Sequence, residues 1–317
     1  MLRGGLIGAA AVTVFGILLL FGDNYALRLG TTVAMYVTLA TAWNIIGGFA
    51  GYPSFATAAF FGLGAYTSGI ALSNGIPLSV AWAGAGLIVA LFAVMLGLCI
   101  LHLRGHYFAI GSLVAADVLR EITNVWVSVT GGGIGLNLPL PGGDAETQAK
   151  LFLCVMSGLA GAACCAAWTL TRSRLGVALR CIAQNEDAAQ VIGIDTGRSK
   201  IAALALSSLF VGIAGAIYAS WTIYIDPSDV YDVSLSVKPI IMTLLGGVGT
   251  VTGPIVGAFA FLGLEELIWR NSLEFHSGFL GLLVVALVLF LPAGLGQLRV
   301  GSIWTRIRTV LPPEARP

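Results

Sequence analysis

Long apolar runs separated by short polar interruptions set the pattern of this chain. A membrane span needs about 20 mostly apolar residues, fewer where the helix is broken or shielded by neighbours. Ten stretches meet that measure, roughly 6 to 21, 29 to 46, 55 to 72, 78 to 101, 107 to 125, 150 to 170, 199 to 219, 237 to 246, 254 to 268 and 277 to 291. The eighth is too short to cross alone, so it is either broken or extended back toward Val230. The first, behind Arg3, has the length of a signal peptide but no convincing small-residue cleavage site after it, and reads as a retained span. The pattern predicts an all-α fold: one polytopic transmembrane helical bundle over residues 1–317, of about ten spans that include short or broken helices.

One interruption differs in kind. Ser173 to Lys200, SRLGVALRCIAQNEDAAQVIGIDTGRSK, is the longest reach of polar, helix-capable sequence. Ser173 can cap a helix on which Leu175, Ala178, Leu179, Ile182 and Ala183 recur at helical spacing, while Arg180, Gln184, Glu186 and Asp187 take other faces. Gly193 then stops or turns it. Set between spans, such a segment lies outside the hydrocarbon and offers a face to a soluble partner.

Composition agrees with a membrane protein: 57% hydrophobic residues, 10% charged residues and a mean hydropathy of +0.93 lie far from soluble chains, in which about a quarter of residues are charged. A net charge of +1 excludes nucleic-acid binding, which needs clustered basic charge. The 42 glycines suit close helix packing in lipid. Cys99, Cys154, Cys164, Cys165 and Cys181 form no CxxC pair and read as small buried hydrophobes.

Short-loop Lys and Arg stay cytoplasmic. Threading ten spans puts Arg3, Arg104, the group Arg172, Arg174, Arg180, Arg198 and Lys200, and the tail Arg299, Arg306 and Arg308 on one side. Asp23, Asp144, Glu146, Asp226, Asp229 and Asp232 fall on the other, with Arg28 and Arg270 as outer exceptions. Both termini, and the polar stretch around residues 172–199, are therefore expected inside.

Other features carry candidate chemistry. Ile45 to Gly64 lies without gaps over Leu244 to Gly263, matching Gly47 and Gly48 with Gly246 and Gly247; each copy is an apolar run, a Gly-Gly break and another apolar run. Paired interruptions point to a transport site built from discontinuous helices, and the threading gives both copies the same orientation. Thr130, Gly131, Gly132 and Gly133 can turn backbone N–H groups toward one point as an anion-binding nest, or simply form tight turns. Asp117 can pair with Arg120 at i+3, as a functional intramembrane charge or a charged helix end. Lys238, beside Pro239, can snorkel to the outer surface. The acidic, aromatic loop Trp221 to Ser236 suits the membrane interface or the landing of an external partner. His102 and His106 have the spacing of metal ligands but lack the acid of an HExxH motif, so no metal site is expected. None of Lys150, Lys200 and Lys238 follows glycine, so there is no Walker loop, and no catalytic site is visible.

The segments LRGHYFAI (Leu103 to Ile110), VTGGGIGL (Val129 to Leu136), RLGVALRCIAQNEDAAQVIGI (Arg174 to Ile194) and LLGGVGTVTGPIVGA (Leu244 to Ala258) resemble, in order and spacing, permease subunits of ABC importers for branched-chain amino acids. The LRGHY segment and the TGG loop look more like the M-type (LivM-like) membrane subunit than the H-type. The resemblance, over roughly residues 30 to 295, implies that Arg180, Glu186, Asp187, Ala188, Ala189 and Gly193 form a cytoplasmic coupling loop. Small Ala188 and Ala189 would permit close docking, and Glu186 could pair across the interface. It further implies an H-type permease partner, two ATP-binding subunits that carry ATP and Mg, an external substrate-binding protein, no cofactor on this chain and a bacterial-type inner membrane. The candidate substrate pathway comprises Thr130 to Gly133 with Gly47, Gly48, Gly246 and Gly247. After LRGHY this chain continues IGSLVAADVL rather than a TLGF-like run, and GIGLNLP follows its TGG loop, which leaves the substrate open among amino acids, urea, short amides and other carboxylates. An ion-coupled secondary transporter using Asp117 or Glu265, or a small-solute channel, is the alternative.

Overall fold

A computed structural model describes residues 8, 11, 13–19, 22–139, 142 and 144–271. The tenth apolar stretch, 277 to 291, and the tail arginines lie outside the described residues, as does part of the first stretch. The structure is a bundle of helices: α1 (Asn24–Trp43), α2 (Thr57–Ser73), α3 (Leu78–Ile100), α4 (His106–Val125), α5 (Ala145–Arg172), α6 (Arg174–Gln184), α7 (Glu186–Val191), α8 (Thr196–Thr222), α9 (Ser234–Gly246) and α10 (Gly253–Asn271). Two short strands, β1 (Leu136–Asn137) and β2 (Tyr224–Ile225), pair antiparallel, with Leu136 opposite Ile225.

The all-α expectation holds, and helices occupy the second to ninth predicted stretches. Four of the described helical segments, α1 with the following turn to Gly48, α3, α5 and α8, are long and apolar enough to cross a membrane by length and composition. The described residues thus support four spans on that ground, not ten. The short eighth stretch is a 13-residue helix, α9, about 20 Å long against a hydrocarbon core of about 30 Å. It does not extend back to Val230, which closes a separate turn, Pro227–Val230.

Glycine sets the closeness of the central packing. A Cβ on Gly64 of α2 would sit 2.2 Å from the Gly212 carbonyl oxygen of α8, and one on Gly215 would sit 2.1 Å from the Phe61 carbonyl oxygen. The two backbones therefore approach as only small residues allow, and the Ser68 hydroxyl donates to the Ala216 carbonyl across the contact at 3.2 Å. Cysteine behaves otherwise than predicted: Cys99, Cys154 and Cys165 are exposed on the bundle, and Cys164 and Cys181 are half-buried. In a chain that faces lipid, an apolar neighbourhood does not require burial inside the protein.

The helix connections segregate to two ends. One end gathers the connectors 49–56 and 101–105 with α6 and α7, joined through Tyr52, Arg104, Leu101 and Glu186. The other gathers the β1–β2 ladder and the loops around Thr123 and Tyr231, whose hydroxyls meet at 3.2 Å. α4 connects the two over 20 residues, about 30 Å.

Candidate functional site

The polar stretch folds into two helices rather than one. The Ser173 hydroxyl accepts from the Gly176 N–H at 3.1 Å and caps α6, as its position predicts. Asn185 breaks the run in extended conformation, and its side chain accepts from the Ala188 N–H at 3.0 Å to cap α7. Gly193, at φ +85°, then turns the chain, a left-handed conformation that glycine adopts without a Cβ penalty. Arg180 folds back along α6, donating to the Gly176 carbonyl at 3.2 Å and to that of Thr171 near the C-terminus of α5. A cation favours that end of a helix.

Glu186 turns back onto its own chain. Its carboxylate is 2.6 Å from Lys200 Nζ, with the two side chains 11% and 5% exposed. It also accepts from the Tyr52 hydroxyl and lies 3.7 Å from Arg104. Lys200, in the second turn of α8, fills its remaining donor positions with the Tyr52 hydroxyl at 3.1 Å and the Leu101 carbonyl at 3.0 Å. Burial would raise the Glu186 carboxyl, but the hydrogen bonds from Lys200 and Tyr52, with the Lys200 and Arg104 charges, hold it below its ordinary value. Within the chain the Glu186 charge is thus already answered by Lys200 and Arg104. Ala189 is likewise buried, so of the two alanines only Ala188 can meet a docking protein closely. The outward face belongs to Ala188, Asp187, Val191 and Ile192, the last two 87% and 70% exposed. Asp187 is steered by Arg104 at 2.9 Å.

The network leads inward. Tyr52 follows the first Gly-Gly break, where α1 widens into the π-helical turn Asn44–Gly48. The buried Asn44 side chain donates to the Thr250 carbonyl at 2.8 Å and accepts from the Gly249 N–H at 2.9 Å. A Cβ on Gly48 would lie 2.8 Å from the Gly249 nitrogen. The two breaks anticipated from the internal echo therefore touch, each between a pair of helices, α1 and α2 in one copy and α9 and α10 in the other. Gly246 is packed as tightly, its Cβ position 1.7 Å from the Gly253 carbonyl oxygen, and Gly247 takes φ +120°.

The other pathway candidates lie elsewhere. Thr130 to Gly133 sit at the far end of α4, about 30 Å from the breaks' end of the bundle by helix length. The Thr130 hydroxyl is bonded to the Thr123 and Trp126 carbonyls, and the Gly131 and Gly132 amides to the Val127 carbonyl and Thr130 hydroxyl. Two of the three glycine N–H groups are thus engaged in closing a turn. Asp117 pairs with Arg120 at 3.5 Å, as its spacing predicts, on a face of α4 that also exposes Tyr107, Ile110, Val114, Val118 and Ile122. Lys238 does not snorkel outward: its Nζ is 2.9 Å from Glu265, with side chains 28% and 17% exposed.

Sequence reasoning missed Tyr52 and Asn44 altogether and used Lys200 and Arg104 only as topological charges. A lysine one turn into an apolar helix was the available signal for Lys200, since such a charge needs a partner. Tyr52 and Asn44 gave none.

Apolar helices of membrane-crossing length, paired glycine breaks and a charged helical hairpin at one end mark the class as an α-helical membrane protein. A model of the family described as "Branched-chain amino acid transport system / permease component" matches residues 25–288, and the chain belongs to that family. It is 26% identical over 296 residues to the high-affinity branched-chain amino acid transport system permease protein LivM of Escherichia coli K12, covering 84% of this chain and 69% of that protein. It is 27% identical over 246 residues to the autoinducer 2 import system permease protein LsrC of Enterobacter sp. strain 638, covering 71% of this chain and 68% of that protein. The xylose transport system permease protein XylH of Escherichia coli K12 is 34% identical over 100 residues, 30% of this chain and 25% of that protein. No solved structure matches the chain.

Proposed function

We propose that this chain is the M-type permease of an ABC importer in a bacterial-type inner membrane and moves branched-chain or related amino acids by alternating access. The observation that carries the reading is α7: a six-residue helix held from behind by the Lys200–Glu186 pair, with Ala188, Val191 and Ile192 turned outward. Exposed apolar side chains beside a steered aspartate suit a soluble protein's groove better than water. ATP-binding subunits dock there, on the cytoplasmic side, and their closure moves α7. Because Glu186, Lys200 and Tyr52 are bonded together, that motion reaches α8 and the chain entering the first break. The contact between the breaks then offers two arrangements for ATP to bias, which takes about 5.5 kcal/mol to shift from 1:99 to 99:1.

An H-type permease covers the charged side of α4, since Asp117 and Arg120 are about half exposed and charges on a membrane helix turn to a partner or to water rather than to lipid. A substrate-binding protein delivers the amino acid at the opposite end. The ion-coupled alternative is weaker, because Glu265 is engaged by Lys238 and Asp117 by Arg120.

Ile192→Asp, alone and with Val191→Asp, tests the docking face. The variant chain should insert and purify with its permease partner, while co-purifying ATP-binding subunit falls at least about tenfold and uptake falls with it. Undiminished ATPase association would overturn the assignment of α7.

A further inference from the structure

At the end of the bundle opposite α7 lies a cavity of about 600 Å³, between α1, α8 and the start of α9. This is ample for a small metabolite, since ligand pockets run about 300–1,000 Å³. Its wall carries both signs of charge. Arg28, one turn into α1, supplies a guanidinium, and Asp229, in the turn before α9, a carboxylate. Neither side chain has an ion pair or a hydrogen bond to another side chain among the described residues. Lys238 is close by, 5.8 Å from the centre of the Tyr36 ring, but is engaged with Glu265. Burial, and then the neighbouring Asp226 and Asp232 carboxylates, push the Asp229 carboxyl above its ordinary value, as expected where no cation sits against it. Between the charges the lining is aromatic and aliphatic, with Tyr36, Tyr218, Trp221 and Leu235.

We propose that this cavity is a reception site for a free zwitterionic α-amino acid, with Arg28 taking the carboxylate, Asp229 the ammonium, and the Tyr36, Tyr218, Trp221 and Leu235 wall the apolar side chain. An anion alone would leave Asp229 uncompensated, and a cation alone would leave Arg28 so. A ligand carrying both charges answers both and presents its side chain to the apolar wall. Arg suits the carboxylate because its planar fork matches two oxygens, and both charged side chains are exposed, open to an arriving solute. The shared chemistry of a zwitterion also admits the ethanolamine-phosphate headgroup of a lipid, so the test separates the two sources. The inference rests on the permease reading, because that reading makes this end the outer one and the cargo an amino acid.

The experiment uses the complete importer in nanodiscs of phosphatidylcholine, with and without phosphatidylethanolamine, and tritiated L-leucine as probe without the binding protein. L-Leucine should bind at least about tenfold more tightly than isoamylamine, which lacks the carboxylate, or 4-methylpentanoate, which lacks the ammonium, a tenfold loss being about 1.4 kcal/mol. Arg28→Gln should erase the preference over isoamylamine and Asp229→Asn that over 4-methylpentanoate, a crossed pattern that general misfolding does not produce. Unchanged leucine binding in both variants, no leucine binding at all, or displacement of leucine by phosphatidylethanolamine overturns the proposal. ATP hydrolysis stimulated by loaded binding protein is read on the same discs. If it persists while leucine binding fails, the cavity assignment falls and the permease reading stands; if no ATPase is retained, the permease reading falls and the site with it.

Discussion

At the scale of single residues, the Lys200–Glu186–Tyr52 cluster decides most. Removing one member of a buried ion pair leaves the other charge without compensation, at a cost of about 3–5 kcal/mol. Lys200→Met should therefore loosen α7 and lower uptake per ATP hydrolysed, while Lys200→Met with Glu186→Leu recovers much of the lost thermal stability without restoring coupled uptake. Measuring melting temperature and the uptake-to-hydrolysis ratio in both separates a stabilising role from a transmitting one. The pH dependence has a definite sign. The carboxyl of Glu186 is held below its ordinary value, so its contribution is fully present above the unfolded pKa, about 4.3, and is lost only as pH falls through the lower folded value. Coupling should be flat from about pH 6 to 8 and should fail only in acid, and Glu186→Gln should remove that acid limb. A neutral-range transition that vanished in Glu186→Gln would contradict the assignment.

Among the elements, two contacts carry testable weight. The α2–α8 crossing has no room for a side chain at Gly64 or Gly215, so Gly64→Val should push the helices apart and cost several kcal/mol, mostly as overpacking, read as lost yield of folded protein in mild detergent. A substitution at Gly161 of α5, where nothing lies within 4 Å of a Cβ, should leave yield unchanged. Gly193 belongs to the hairpin: its Cβ position is also open, but its φ of +85° is closed to proline. Gly193→Pro should leave the spans inserted and reorient α7 relative to α8, uncoupling uptake from ATP hydrolysis, and normal uptake in this variant would count against the hairpin as coupling element. The hairpin's position, caps and turn were legible, because Ser173, Asn185 and Gly193 act through backbone groups a few residues away. Which face of α7 is inward was not, because that depends on Lys200, Tyr52 and Arg104 arriving from three other segments.

For the whole molecule, assembly supplies the remaining check: with α4 facing a second permease, cysteine at Val118, 49% exposed, should cross-link to that chain and leave yield unaltered, whereas lipid-facing α4 predicts none. Apolar periodicity, glycine punctuation and the charge pattern were enough to specify an all-α membrane chain with a polar helical hairpin, because the cost of placing charge and open backbone in hydrocarbon acts locally, on each stretch of sequence. Membership of the family was likewise legible in four segments whose order and spacing survive along one dimension. The number of crossings was not, since α9, at about 20 Å, is shorter than a hydrocarbon core of about 30 Å and short helices gain their place from neighbours. Nor could sequence reveal that Asn44 joins the two breaks, that Glu186 is answered by Lys200, or that Arg28 and Asp229 share one cavity. Asn44 and Gly249 stand far apart in the chain, as do Arg28 and Asp229, and Glu186 and Lys200 lie on different helices, so only the tertiary packing sets which groups face one another or one cavity.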